Sequence, residues 1–261
     1  MYRGFNLKLN LKENEFYYKI GLKLNEDYRV EVKKKLDSFM LEDGTLSARS
    51  IMDDWFPQIK SHIFLSHSHK DEKLALTLAG WLHKKLNIKT FIDSTIWGYS
   101  NDLLKKINDT YCYNYESKSY NYDKLNNSSI HVNLMLSNAL NKMIDNCECI
   151  FFLNTPNSIS SEEAISKTYS PWIFSEITTT QIIHKKTPNR LKLQTKMFSG
   201  DIQLNEQKRS ELLIEYDLEL SHLTDLGFND IGNWISSNGN IPIEPLDTLY
   251  KQHPLNKKFK I

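Results

Sequence analysis

Ser170-Pro171-Trp172-Ile173-Phe174-Ser175-Glu176 sets a large aromatic and a carboxylate one helical turn apart. Ser170 is a good N-cap. Pro171 suits the first helical position, where a missing N–H costs nothing. A helix is therefore expected to start here, with Trp172 and Glu176 on one face. An indole beside a carboxylate can line a pocket for a sugar–nucleotide: the ring packs on the sugar, and the carboxylate takes hydroxyl hydrogen bonds and stabilises developing positive charge. The plainer reading puts Trp172 in the core and lets Glu176 offset the helix dipole. Spacing alone favours the plainer reading.

Other polar groups sit at the ends of apolar runs. Ile63-Phe64-Leu65 has the character of a strand buried on both faces, and it runs into Ser66-His67-Ser68-His69-Lys70-Asp71. Ser68-x-x-Asp71 resembles a capping box that opens the next helix. Ser66 and Ser68 are placed to donate to phosphate oxygens near a helix N-terminus. Lys89-Thr90-Phe91-Ile92-Asp93 reads as a second strand, with Asp93 either holding the following loop or capping it. That loop carries Trp97, Gly98 and Tyr99, aromatics that mark a contact surface or fold back onto their own domain. Phe64 reads as core. His67 and His69 alternate, as do Cys147 and Cys149, but no four-ligand set can be paired from them and no metal site is read.

Composition narrows the classes. The 261 residues suffice for one large domain or one domain with extensions. A net charge of +1 gives no global pull toward nucleic acid or a membrane surface. No apolar run approaches the ~20 residues of a membrane helix, and the N-terminus lacks an apolar signal core. Three cysteines make no disulfide framework, so a reducing cytoplasm is the expected setting. The nine glycines include no Gly-x-Gly and no Gly-x-x-x-x-Gly-Lys, which excludes the usual dehydrogenase and NTPase readings.

The elements that must position these groups follow from periodicity. Residues 1–60 read as a separate extension: an alternating stretch at Phe5–Leu11, a helix over 26–41 with Val32, Leu36, Phe39 and Met40, and a short helix ending at Trp55-Phe56. This part shows no catalytic constellation; its apolar positions are expected to pack on the following domain or on a second copy, and a truncation beginning near Gln58 is expected to keep the Glu176 chemistry but lose solubility, oligomer state or control by a trigger. From residue 61 strands and helices alternate. Strands are expected at 63–65, 89–93, 149–153, 191–195 and 212–216, with helices after 71, through Leu103–Ile107, over 130–145, from Pro171 to about Lys186, and from Phe228 to Ile235. Residues 111–128, rich in Tyr, Asn and Ser, read as an exposed insertion, and 241–261 as a C-terminal tail. The alternation predicts an α/β domain over 61–240, doubly wound around a parallel sheet. Such sheets bind ligands at the carboxyl ends of their strands. That places the loops 66–70, 94–100 and 154–158 and the start of the Trp172 helix near one another, which strengthens the functional reading of Glu176.

His62–Asp71, Phe91-Ile92-Asp93-Ser94, Phe151-Phe152-Leu153-Asn154 and Trp172-x-x-x-Glu176, in this order, resemble a Toll/interleukin-1 receptor (TIR) domain over about residues 61–236. The variant is similar to bacterial TIR proteins, including those of Thoeris-type antiphage systems. The resemblance implies a flavodoxin-like five-stranded parallel sheet. It also implies cleavage of the nicotinamide–ribose bond of NAD, with Glu176 as the catalytic glutamate and NAD as substrate rather than cofactor. Ser66, Ser68, Asp93, Trp97 and Trp172 would line the substrate site. The loop around Trp97 would correspond to the family's mobile loop, which packs on a neighbouring copy. A homo-oligomer and a separate effector answering a cyclic or conjugated product would be the partners; no membrane or nucleic acid is implied. The insertion at 111–128 and the extension at 1–60 depart from the family pattern. The competing reading is a non-catalytic TIR adaptor acting by self-association; a third is a nucleoside deoxyribosyltransferase.

Overall fold

Four short runs with every residue buried, joined by a fifth strand that buries only its last residue, form one sheet. The computed structural model describes residues 1–9, 12–28, 36–96, 100–160, 166–191, 214–238 and 244–255. In chain order the strands are β1 (Arg3–Leu7), β2 (Ile63–Ser66), β3 (Thr90–Phe91), β4 (Tyr113–Asn114), β5 (Ser119–Tyr120), β6 (Cys149–Leu153), β7 (Ser166–Thr168), β8 (Tyr216–Leu218) and β9 (Thr224–Leu226). The helices are α1 (Glu15–Tyr28), α2 (Ala48–Trp55), α3 (Glu72–Leu86), α4 (Asp93–Ile96), α5 (Ser100–Ile107), α6 (Tyr122–Asn146), α7 (Pro171–Ile182), α8 (Phe228–Ser237) and α9 (Pro245–Gln252).

The central sheet runs β3-β2-β6-β1-β9, all parallel. Strand alternation sends Phe64, Phe91, Ile150 and Phe152 to one face, under α2, α5, α6 and α7. Phe5, Leu7, Ile63, Leu65, Phe151 and Leu153 go to the other face, under α3, α8 and α9. This is a doubly wound α/β fold with both sheet faces covered, as parallel strands require. The chain leaves β2 through α3 to reach β3 on one side, then crosses by α4–α6 to β6 on the other. The strand order therefore reverses between β2 and β6, where Ser66 lies beside Phe152.

The expected architecture holds, but two of its five strands are different ones. β1 comes from the stretch assigned to a separate extension and lies between β6 and β9, so residues 3–7 are sheet interior. The expected strand at 191–195 begins on Leu191, which ends a 3-10 turn, and otherwise lies outside the described residues. Of the expected strand at 212–216, residues 212–213 lie outside the described residues, and of the rest only Tyr216 is strand: it starts β8, which pairs antiparallel with β7 in a separate ribbon. The fifth sheet strand is β9. Three residues are too few for periodicity to register, and an N-terminal strand looks like an extension until its partners are known.

Helix ends follow local chemistry. Ser170 Oγ accepts from the Ile173 N–H (3.3 Å), as its N-cap role predicts. Asn121 caps α6 the same way through Lys124 N–H (3.0 Å), so that helix starts inside the expected insertion; its other part is the β4–β5 hairpin. Asn87 ends α3 in the left-handed region. The helix expected over 26–41 is displaced: α1 ends at Tyr28, Leu36–Phe39 form a buried 3-10 turn, and Val32 lies outside the described residues. The expected C-terminal tail contains α9, whose Leu246, Leu249 and Tyr250 are buried, and Trp234 Nε1 of α8 donates to Pro245 O (2.7 Å). No helix among the described residues is long and apolar enough to cross a membrane.

Candidate functional site at the carboxyl ends of the strands

The second helical turn of α7 delivers Glu176 against the sheet. Ile173 and Ile177, which flank it on that side, lie in the core with Phe64 and Phe152. The turn that brings them inward brings Glu176 inward too, and it is only 3% exposed. Ser66 ends β2 on the same sheet face as Phe64, since side chains two apart point the same way. Phe91 faces this side as well, and Asp93, two residues on, starts α4 at the end of β3. The sheet thus brings together Ser66, Asp93 and Glu176, three residues separated by 27 and 83 positions in the chain.

Among the described residues, no cationic side chain acts on this carboxyl. Burial first, and then the charge of Asp93, push Glu176 well above the usual carboxylate range; the nearby Ser66 hydroxyl opposes them. Ser66 Oγ is fully buried and has no hydrogen-bond partner of ordinary geometry. An orphaned hydroxyl of this kind costs about 1–3 kcal/mol unless a ligand or water answers it. His67 completes the corner. It is buried, with Nδ1 3.3 Å from Leu65 O, Nε2 3.2 Å from Ser94 Oγ, and Asp93 Oδ1 4.0 Å from Nδ1.

The other expected site residues are not part of this trio. Ser68 caps the 3-10 turn at His69–Asp71, accepting from Lys70 N–H. Trp172 is half-buried and packs against the apolar core. Trp97 lies outside the described residues. Among the described residues, no three His, Cys, Asp or Glu side chains gather as a metal site.

Two features of the site were not read from the sequence. Asp71 does not complete a capping box; its carboxylate accepts from Thr155 Oγ1 (2.5 Å) and Asn157 Nδ2 (2.7 Å), tying the loop after β2 to the loop after β6. A row of amides also continues across the strand ends. Asn154 Nδ2 donates to Asn6 Oδ1 (3.0 Å), Asn6 Nδ2 donates to Asp225 Oδ1 (2.7 Å), and Lys8 pairs with the other Asp225 oxygen. Asn6, a buried amide between Phe5 and Leu7, was the available signal for this row.

No family model, characterised protein or solved structure matches the chain.

Proposed function

We propose that the protein cleaves the nicotinamide–ribose bond of NAD, with Glu176 as the catalytic carboxylate. The observation that carries this reading is a buried carboxyl at the strand-order reversal of a doubly wound sheet, facing an orphaned serine hydroxyl. The order of the motifs 62–71, 91–94, 151–154 and 172–176, which resembles a TIR domain, supports it. The reaction suits such a site. The C1′–N bond breaks with its electron pair leaving on the nicotinamide nitrogen, which departs neutral, so little acid catalysis is needed. What remains is an oxocarbenium-like ribose, and one carboxylate beneath it stabilises the charge and accepts ribose hydroxyl hydrogen bonds. Ser66 supplies a donor beside that carboxylate. Water capture at C1′ gives ADP-ribose; capture by a group of the same nucleotide gives a cyclic product.

On this reading the protein acts in the bacterial cytoplasm in antiviral defence, as a homo-oligomer, through NAD depletion or through a product sensed by a separate effector. One observation favours the non-catalytic adaptor instead: Glu176 is covered, and a nucleotide reaches it only if side chains over it move. One assay separates the two. The protein is incubated with NAD, with and without a phage-derived trigger, and products are identified by mass. A nicotinamide peak with ADP-ribose or a cyclic nucleotide is expected; intact NAD under both conditions leaves the adaptor.

A further inference from the structure

The amides across the strand ends form a hydrogen-bonded row, and the row has a direction. Lys8 Nζ pairs with Asp225 Oδ2 (2.8 Å), and Asp225 Oδ1 accepts from Asn6 Nδ2 (2.7 Å). A carboxylate only accepts, so the Asn6 amino group must face β9 and its carbonyl must face β6. Asn154 Nδ2 answers that carbonyl (3.0 Å). The Asn154 amide is fixed in turn, with Oδ1 turned away from the row. Turning either amide over would set oxygen against oxygen or N–H against N–H. Among the described residues nothing donates to Asn154 Oδ1, and Asn154 is only half-buried.

The row ends where a doubly wound sheet takes its ligands. Asn6 and Ser66 both lie level with Phe152, one on each neighbouring strand. Asn154 is two residues beyond Phe152 and shares its face, the one covered by α7. Its N–H donates to Leu7 O (3.1 Å), so the strand pairing holds as far as this residue. The loop that follows is locked as well. Ser158 Oγ donates to Leu153 O (3.0 Å), and Thr155 and Asn157 are held by Asp71. Aligned amides polarise one another, and a carboxylate at the amino end strengthens the carbonyl at the other end. Asn154 Oδ1 is therefore a fixed and strengthened acceptor at the strand-order reversal.

We infer that Asn154 is a specificity-determining residue of this site: its Oδ1 takes an amino group of the bound nucleotide and rejects an oxygen in that place. The inference rests on the NAD reading above and deepens it. NAD carries an amino group on its carboxamide and another on its adenine. An amide free to rotate would adapt to an oxygen by offering its own N–H. Asn154 lacks that freedom, because its N–H group is committed to Asn6. A carbonyl or carboxylate placed against Oδ1 meets a lone pair and loses the hydrogen bond. Asn6 and Asp225 are positioning residues in this scheme. They set the direction of the amide that meets the ligand.

The test compares NAD with the dinucleotide whose carboxamide is a carboxylate and with the one whose adenine is hypoxanthine. Each is titrated by calorimetry into full-length Glu176→Gln, which on the NAD reading binds without cleaving, with and without the trigger. One altered form should bind at least about tenfold more weakly than NAD, the effect of one unmade hydrogen bond in a desolvated site. Which form it is tells where the recognised amino group lies. Asp225→Asn, added to this protein, keeps the shape of Asp225. Lys8 retains the oxygen, the new N–H group meets Asn6, and both amides turn over. Asn154 then presents N–H, so the preference for NAD should vanish or invert with an unchanged thermal transition. Asn154→Ala, at the half-buried end of the row, should weaken NAD and spare the altered form; a purely structural role would weaken both alike. Equal affinities for all three dinucleotides would overturn the inference and leave the NAD reading standing. A preference that survives both substitutions would come from another residue and overturn it too. If no dinucleotide binds under either condition, the NAD reading fails and the inference fails with it.

Discussion

Glu176 is a carboxyl that the fold prefers protonated. Its burial, reinforced by Asp93, raises its pKa above that of the unfolded chain, so its contribution to stability is fully present at acid pH and is lost as pH rises through the raised value. Glu176→Gln should therefore melt higher than wild type at pH 8, by at least about 2–4 °C, the shift that roughly 1 kcal/mol gives in a chain of this size. The gap should close toward pH 4.5. Thermal scans across that range check it; a Gln variant less stable at pH 8 would mean that the carboxylate is satisfied by the fold. Asp71 has the opposite character, a carboxylate used by two donors from another loop. Asp71→Ala should cost about 1–3 kcal/mol and speed amide exchange at residues 155–158 while sparing the sheet; unchanged exchange there would contradict the tie. The sequence made Glu176 visible because its cap, its proline and its turn spacing are local. It made Ser66 and Asp93 visible only as strand ends. It did not reveal that Asp71 reaches Thr155 and Asn157, since side-chain partners 84 and 86 residues away leave no local pattern.

At the scale of elements, α1 and α3 pack backbone to backbone. A Cβ on Gly80 would stand 2.0 Å from Tyr17 O and 2.7 Å from Gly21 N, and one on Gly21 would stand 2.0 Å from Leu76 O. Backbone atoms cannot give way as a side chain can, so Gly80→Ala must separate the helices. Overpacking of this kind costs about 1–3 kcal/mol or more, and the melting temperature should fall by roughly 5–10 °C. The effect should reach the site. Asn25 of α1 donates to Gly21 O (2.8 Å) and accepts from Thr95 (3.0 Å), and Thr95 belongs to the short helix that carries Asp93. A Gly80→Ala protein with wild-type melting would show that the helices adjust freely. The long, strongly patterned elements β2, α3, β6 and α7 were legible because apolar runs and caps coincide. The misread ones share a cause. β9 is three residues long, β8 pairs outside the main sheet, and α6 gains its first two turns from a polar stretch that looked like loop. In each, pairing and packing outweighed local preference.

The whole molecule does not divide where its composition suggested. β1 fills the sheet between β6 and β9, Phe5 and Leu7 are fully buried, and Trp55 and Phe56 lie in the core beneath α6 and α7. A truncation that begins near Gln58 removes all of these, leaving β9 without a sheet partner and β6 paired on one edge only. It should lack a cooperative thermal transition, and a truncated chain that melted like the full one would restore residues 1–60 to the status of an appendage. The C-terminal part is equally integral: Arg190 bridges Glu148 at the start of β6 and Asp247 of α9. The proposed chemistry is therefore to be judged on a chain that keeps both β1 and α9. The most direct test is nicotinamide release from NAD by the full-length protein and by Glu176→Gln, compared at equal folded concentration in the presence of the trigger. The account predicts steady release from wild type and at least a hundredfold loss in the variant, about 3 kcal/mol of transition-state stabilisation. Release by the variant within a few-fold of wild type would contradict it.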